Sequence, residues 1–406
     1  MPRMPSLALA LFVTLPAFAQ NSVLQLPIGD PARSGRTAPV VLDGLTDTRT
    51  GEVLTPADLA ARLAGVRLLF VGELHTSPEF HLVQLRVIEE LVTAGRKVRV
   101  GLEMYPYPQQ PFLDQWTAGQ LTEPGFLTLS RWYESWGYHW GYYRDLFLFA
   151  RDHRLPMLAL NAPREVVAAV RKKGGKDLTA EEAAHIPTSI DTGSADHRRL
   201  FRAFFEDSDS LHTSLDPTEW ENMFEAQCTW DATMAFHAVQ GLEAKSEPGD
   251  IVVVLIGSGH VAYGLGIERQ ARQWLPPEKG RMASLIPVPV RDKGQPVSTV
   301  TASYADFLWG VPEEVDPPYP SLGISTTAVP GEQARKVILV EEGSPAEQAG
   351  FAVGDVLLTL DGQPVPDRET FNRLMAEKRW GDGVAATVRR GTETVSLTAV
   401  LRRKSA

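Results

Sequence analysis

The sequence predicts an α/β protein on a mostly parallel sheet, followed by a small β-rich unit with one helix. Three observations carry this. Residues 66–71 and 251–256 are nearly unbroken runs of Val, Ile, Leu and Phe, as expected of strands buried on both faces of a parallel sheet. Each run leads into a Gly-x-x-His motif, Gly72-Glu73-Leu74-His75 and Gly257-Ser258-Gly259-His260. Strand and helix signals alternate between the two motifs, and at residues 311–318 proline and acid replace any periodic pattern, as in a linker.

In chain order, the first residues read as an export signal. Met1 to Arg3 give a basic start, residues 7–15 an apolar stretch too short for a permanent bilayer span, and Ala17-Phe18-Ala19 a cleavage site (signal peptide 1–19). The expected mature form starts near Gln20 and is periplasmic or secreted. It is not lipid-anchored, because no cysteine follows the cut. The single Cys228 excludes an internal disulfide and reads as a buried thiol. With net charge −10 and no basic block among 406 residues, nucleic acid is not an expected partner. The large unit is expected over 43–309, the linker over 310–318 and the second unit over 319–404.

Within the large unit, Ser77 and Pro78 open a helix with Glu79 in its first turn, ending at Gly95. Phe80, Val83, Val87, Ile88 and Leu91 recur at helical spacing, with His81 and Gln84 on a neighbouring face. Residues 97–103 read as a strand ending in Glu103, and residues 156–161 as one ending in Asn161, after which Pro163 opens another helix. Four strand ends thus carry Glu73 and His75, Glu103, Asn161 and His260. Open α/β sheets bind ligands at that carboxyl edge, so the set is a candidate metal, haem or acid/base site.

Residues 107–155 are aromatic-rich, with Trp116, Trp132, Tyr133, Trp136, Tyr138, Trp140, Tyr142 and Tyr143 close together. Such a stretch builds either a helical core or the wall of a pocket for a flat ligand. Haem needs apolar surface and an axial His or Tyr, both present in Tyr138-His139-Trp140-Gly141-Tyr142-Tyr143. Residues 178–247 read as polar helices with Trp220 and Trp230. His153, His185, His197, His212 and His237 read as structural or exposed.

Taken in order, Gly72 to His75 with His81 and Gln84, Leu102-Glu103-Met104, residues 136–143, Leu160-Asn161, Gln227-x-x-x-Asp231 and Gly257 to Val261 resemble the ChaN family of haem-binding uptake proteins, over roughly 43–290. The wider superfamily includes the Tiki metalloproteases, which share the paired Gly-x-x-His motifs. The resemblance implies an α/β core with an inserted helical bundle and a haem or iron site at the strand ends, with a haem-bridged homodimer left open. Haem would be held among His75, His81, Tyr138, His139, Tyr142, Tyr143, Asn161 and His260. The alternative is a metal-dependent hydrolase or peptidase. There His75, Glu103 and His260 would hold a divalent metal ion and the catalytic Glu73 or Glu103 would activate water, although the His-Glu-x-x-His helix of common zinc peptidases is absent.

In the second unit, Ser321-Leu322-Gly323-Ile324 starts a strand from a turn, residues 340–355 carry small residues and turn glycines, and residues 357–360 enter a tight turn at Asp361-Gly362. This order resembles a bacterial PDZ domain. The resemblance implies that amides around Ser321, Leu322, Gly323 and Ile324 capture a peptide's terminal carboxylate and that the next strand pairs with the peptide. Helix 368–379 would form the groove's other wall.

Overall fold

The structure, a computed structural model, describes residues 23–206, 216–243, 249–290, 297–313 and 316–403. The expected export segment, His212 and the linker residues Glu314 and Val315 lie outside the described residues. The chain divides into two compact units, one formed by Glu123–Tyr142 with Glu314–Ala406, the other by Tyr143–Glu313 with the described residues before Glu123. Residues 123–142, expected in the large unit, therefore pack with the C-terminal one.

The larger unit is built on β1 (Thr37–Val40), β2 (Leu45–Asp47), β3 (Glu52–Leu54), β4 (Val66–Glu73), β5 (Lys97–Pro106), β6 (Met157–Asn161), β7 (Asp250–Gly257), β8 (Arg281–Val290), β9 (Val297–Thr301) and β10 (Phe307–Pro312). Eight of these form one sheet in the order β3-β2-β10-β8-β4-β7-β5-β6, and β1 and β9 form a separate antiparallel pair. From β10 to β6 all neighbours are parallel, and β2 and β3 add an antiparallel edge. All of β7 is buried, and Leu68 to Val71 and Ile251 to Ile256 have no exposed surface, which is why they read as continuous apolar runs. Burying each such side chain is worth roughly 1.5–3 kcal/mol.

Helix α1 (Pro78–Thr93) turns Phe80, Val83, Val87, Ile88 and Leu91 inward, and His81 and Gln84 are buried with them. Ser77 occupies the N-cap position without a side-chain capping bond; the turn before the helix is closed by the Ser77 N–H donating to Leu74 O. Gly95, at φ +77°, ends the helix in the left-handed conformation while the Arg96 N–H donates to Leu91 O. Pro163 stands at the N-cap of α2 (Arg164–Lys173), and α3 (Pro217–Glu243) supplies a long buried face including Met234, Ala235, Ala238 and Leu242.

Both expected edges of this unit shift. Val23, Ile28, Ala38 and Val40, all before Asp43, belong to the core, and Gly310 to Pro312 continue β10 rather than starting a linker. Gly310 is required there, since a Cβ would overlap the backbone carbonyl of Val41.

In the smaller unit, β11 (Ile324–Ala328), β12 (Arg335–Val340), β13 (Val356–Leu360), β15 (Gly383–Arg390) and β16 (Glu393–Val400) form an antiparallel sheet in that order, with β14 (Gln363–Pro364) on β13. Its core holds Leu322, Val337, Leu357, Leu360, Val384 and Val388. Asp367 caps α4 (Arg368–Ala376), which ends three residues before the expected Arg379. Gly323, at φ +79°, packs so closely on Ser344 that no side chain fits at the turn before β11.

Candidate functional site

The sheet order places β4, β7, β5 and β6 side by side, so the four predicted strand ends are neighbours along one carboxyl edge. The glycine of each Gly-x-x-His motif lies against the other motif. A Cβ on Gly72 would stand 2.8 Å from Ser258 Oγ, and one on Gly257 would stand 3.2 Å from His75 Cε1. The missing side chains at both positions let the two motifs pack closely against each other.

At the β4 tip the Glu73 side chain is wholly buried. Its Oε1 lies 2.7 Å from His75 Nδ1 and accepts the Tyr143 hydroxyl at 2.7 Å, and its Oε2 accepts Gln84 Nε2 at 2.8 Å. Burial alone would raise this carboxyl, but His81, His75 and Tyr143 together hold it at about 2. For His75, burial pushes the ring down, while the bond to Glu73 and the charges of Glu73 and Glu103 outweigh it and raise it. His81 meets Gln84 Oε1 at 3.1 Å and the carbonyl of His75 at 3.2 Å, and its ring packs on Tyr143. It positions the motif from α1.

At the β7 tip, His260 Nδ1 lies 2.6 Å from Asp231 Oδ1 and Nε2 lies 3.4 Å from Glu103 Oε1. Burial lowers this ring, yet the charges of Asp231 and then Glu103 raise it to about 10, so it is an imidazolium at neutral pH. Glu103 Oε2 accepts the Gly257 N–H at 2.7 Å. Burial favours its neutral form, but His260 and then His75 hold it below the usual carboxylate range. Asn161 donates to the carbonyl of Glu103 and accepts from the Ala162 N–H, fixing the β5 and β6 ends to each other.

Sequence reasoning did not single out Gln227 and Asp231 as site residues. They sit one helical turn apart on α3, the Gln227 amide 2.8 Å from His260 Nδ1. Asp231 has no exposed surface and also lies 3.8 Å from His197 Nε2. Their signal was the Gln-x-x-x-Asp spacing that formed part of the family resemblance, one helical turn apart and so on one face.

The hydrolase reading fares differently. Among the described residues, no group of three or more His, Cys, Asp or Glu side chains could hold a metal ion. Glu103 and His260 pair with each other, and His260 with Asp231. Of the four aromatic candidates, the structure brings Tyr143 to the cluster. Tyr138, His139 and Tyr142 belong to the smaller unit, where the His139 ring stacks on Tyr319 and Tyr142 meets Tyr319 edge-on. The Trp132, Trp140 and Phe126 rings pack together there as a small core.

This sheet edge, with its paired imidazole and carboxylate groups, and the small β-rich unit define an α/β protein with a second, β-rich domain. The sequence profile described as "Haem-binding uptake, Tiki superfamily, ChaN" matches residues 59–270, a little over half of the chain, and the chain belongs to that family. A PDZ domain profile matches residues 320–401. Haem binding follows at the level of the family, and PDZ domains generally bind peptides. Among solved structures, one described as cofacial haem binding to ChaN of Campylobacter jejuni is 17% identical, covering 65% of this chain and 95% of that one with a TM-score of 0.49. The HtrA-type protease AlgW with a decapeptide is 28% identical over 21% of this chain and 30% of that one, TM-score 0.20. The HtrA3 PDZ domain bound to a phage-derived ligand is 20% identical over 20% and 83%, TM-score 0.18. No curated protein compared with the chain matches it in sequence.

Proposed function

We propose that the protein is an exported haem-binding protein that takes up or hands on haem in the periplasm or outside the cell, with its PDZ domain docking the C-terminal peptide of a partner. The observation that carries the haem reading is the pairing of His75 Nδ1 with buried Glu73 at 2.7 Å. A carboxylate on one ring nitrogen fixes the tautomer and orientation of a histidine whose other nitrogen binds iron. His75 would accordingly hold the iron, with Glu73, Gln84, His81 and Tyr143 keeping its ring in place. When bound, haem supplies a Lewis-acidic iron, a flat apolar macrocycle and two propionates. His260, kept cationic by Asp231 and Glu103, has both nitrogens facing carboxylates and would not hold the iron.

His75 would need an unprotonated Nε2 to hold haem, so affinity is expected to fall at acid pH. Haemin added to the untagged mature chain gives a shifted, saturable Soret band that co-elutes with protein, and gel filtration with and without haemin reports any haem-bridged homodimer. A spectrum identical to free haemin, with no retention, refutes the reading. For export, the mass of the protein from the periplasmic or culture fraction corresponds to a chain starting at Gln20; an uncut chain in the cytoplasm refutes it.

A further inference from the structure

Residues 123–142 belong to the aromatic stretch expected to build either a helical core or a pocket wall, and their partner in the smaller unit is specific. Arg368 donates to the carbonyls of Glu134 at 3.1 Å and Trp136 at 2.9 Å, and Asn372 Nδ2 donates to the carbonyl of Tyr133 at 2.8 Å. His139 Nε2 donates to the carbonyl of Ala376 at 3.1 Å. Arg368, Asn372 and Ala376 are spaced i, i+4, i+8 and form one stripe of α4. It is not the stripe that faces the domain core, which uses Leu374 and Met375, with Phe371 packed against it.

On its other side the segment reaches the chain that enters the expected carboxylate-binding turn. The His139 ring stacks on Tyr319 with centroids 3.4 Å apart, two residues before Ser321, and Tyr142 meets Tyr319 edge-on at 4.8 Å. One imidazole therefore touches both the last turn of α4 and the approach to Leu322-Gly323-Ile324. A PDZ domain takes a C-terminal peptide between that helix and the strand that follows the turn, so the segment lies on the helix wall and beside the entry to the turn. Two glycines allow the close approach. A Cβ on Gly137 would lie 2.6 Å from Arg368 Nη2, and one on Gly141 would lie 2.5 Å from Tyr319 Cζ and overlap its hydroxyl. His139 stays neutral in this position, because burial pushes it down to about 4.

We infer that residues 131–142 form an internal competitor for the PDZ peptide groove, so that the domain accepts a peptide carboxylate only when this segment leaves α4 and Tyr319. The contact suits an exchangeable occupant. Its hydrogen bonds run to main-chain carbonyls, the Arg131 to Glu369 ion pair stands at 3.3 Å, and β11 remains the edge strand of its sheet. The inference rests on the PDZ domain binding C-terminal peptides, as proposed above.

The test uses the full chain and fluorescent decapeptides ending in Leu, Val or Phe, each as free acid and as amide. Gly141→Ala inserts a methyl group where Tyr319 stands, and His139→Ala removes the wedge without adding bulk. Each is expected to tighten free-acid binding about threefold or more, because apparent affinity scales with the fraction of domains whose groove is open. Saturating peptide is expected to speed amide exchange across residues 132–142 of the unmodified chain. If Gly141→Ala fails to fold, His139→Ala carries the test alone. Free-acid affinity unchanged or weakened in the folded variants, or a segment that stays protected while peptide is bound, overturns the competition. Equal binding of acids and amides in all proteins instead overturns carboxylate capture, and the inference falls with it.

Discussion

Asp231→Asn isolates the charge that keeps His260 protonated. The side chain keeps its shape, the 2.6 Å contact to His260 Nδ1 survives as a neutral bond, and the carboxylate first among the groups raising this ring is gone. A histidine held at about 10 instead of 6.5 stabilises the folded state fully below pH 6.5, and that contribution is lost as pH rises through 10. Between pH 6.5 and 8.5 the linkage for one such group amounts to roughly 2 kcal/mol. Staying below pH 8.5 keeps Cys228 out of the measurement; burial raises that thiol above its ordinary 9.0, and the unfolded chain would ionise first. His75 is also raised and keeps its own share of the slope in the variant. Breaking the buried pair costs about 3–5 kcal/mol near pH 6.5, and the deficit shrinks by roughly 2 kcal/mol at pH 8.5. Urea unfolding at half-unit pH steps measures it. A deficit that does not change with pH shows that Asp231 does not hold His260 as a cation.

Glu73→Gln removes the anion that anchors His75 while keeping its volume, so haem affinity drops about tenfold to a hundredfold in a Soret titration; unchanged affinity means His75 is not the anchored ligand. His75→Ala and His260→Gln, measured singly and together by haemin titration, give a coupling energy above about 0.5 kcal/mol if both meet one haem, and simple additivity excludes a shared site. His197 is pushed down to about 4, chiefly by burial, so it costs stability as pH falls below 6.5; His197→Gln flattens the loss measured by urea unfolding between pH 6.5 and 5, and an unaltered acid limb rules this out.

The strand ends were legible because a parallel strand buried on both faces writes itself as an unbroken apolar run, and the residue after it must stand at the carboxyl edge. Their order along the sheet was not legible. β7 inserts between β4 and β5, although almost two hundred residues separate it from β4, and no local pattern records such a crossover. β8 escaped notice because Pro287 and Pro289 argue against a strand interior. They are tolerated because pairing with β4 ends at Val71 opposite Leu285, so beyond that point the missing N–H groups face no partner strand on that side. The early core residues Val23 and Ile28 lie in a stretch without periodicity, and only contact with the rest of the core reveals them.

The aromatic stretch shows a deeper limit. Composition shows that Trp132, Trp136, His139 and Tyr142 need a surface to cover, but not which one. A ring able to line a haem pocket is equally able to pack on a helix, and both uses read as the same run of Trp, Tyr and Gly. What separates them is close backbone approach. Gly137 and Gly141 are the positions where the chain presses against Arg368, Asn372 and Tyr319, so they mark contact with the PDZ domain more sharply than the aromatics do. The paired Gly-x-x-His motifs obey the same logic at the sheet edge. Their histidines announce chemistry, but it is Gly72 against Ser258 and Gly257 against His75 that let the two motifs pack together, and a methyl group at either glycine would make Ser258 or the His75 ring shift.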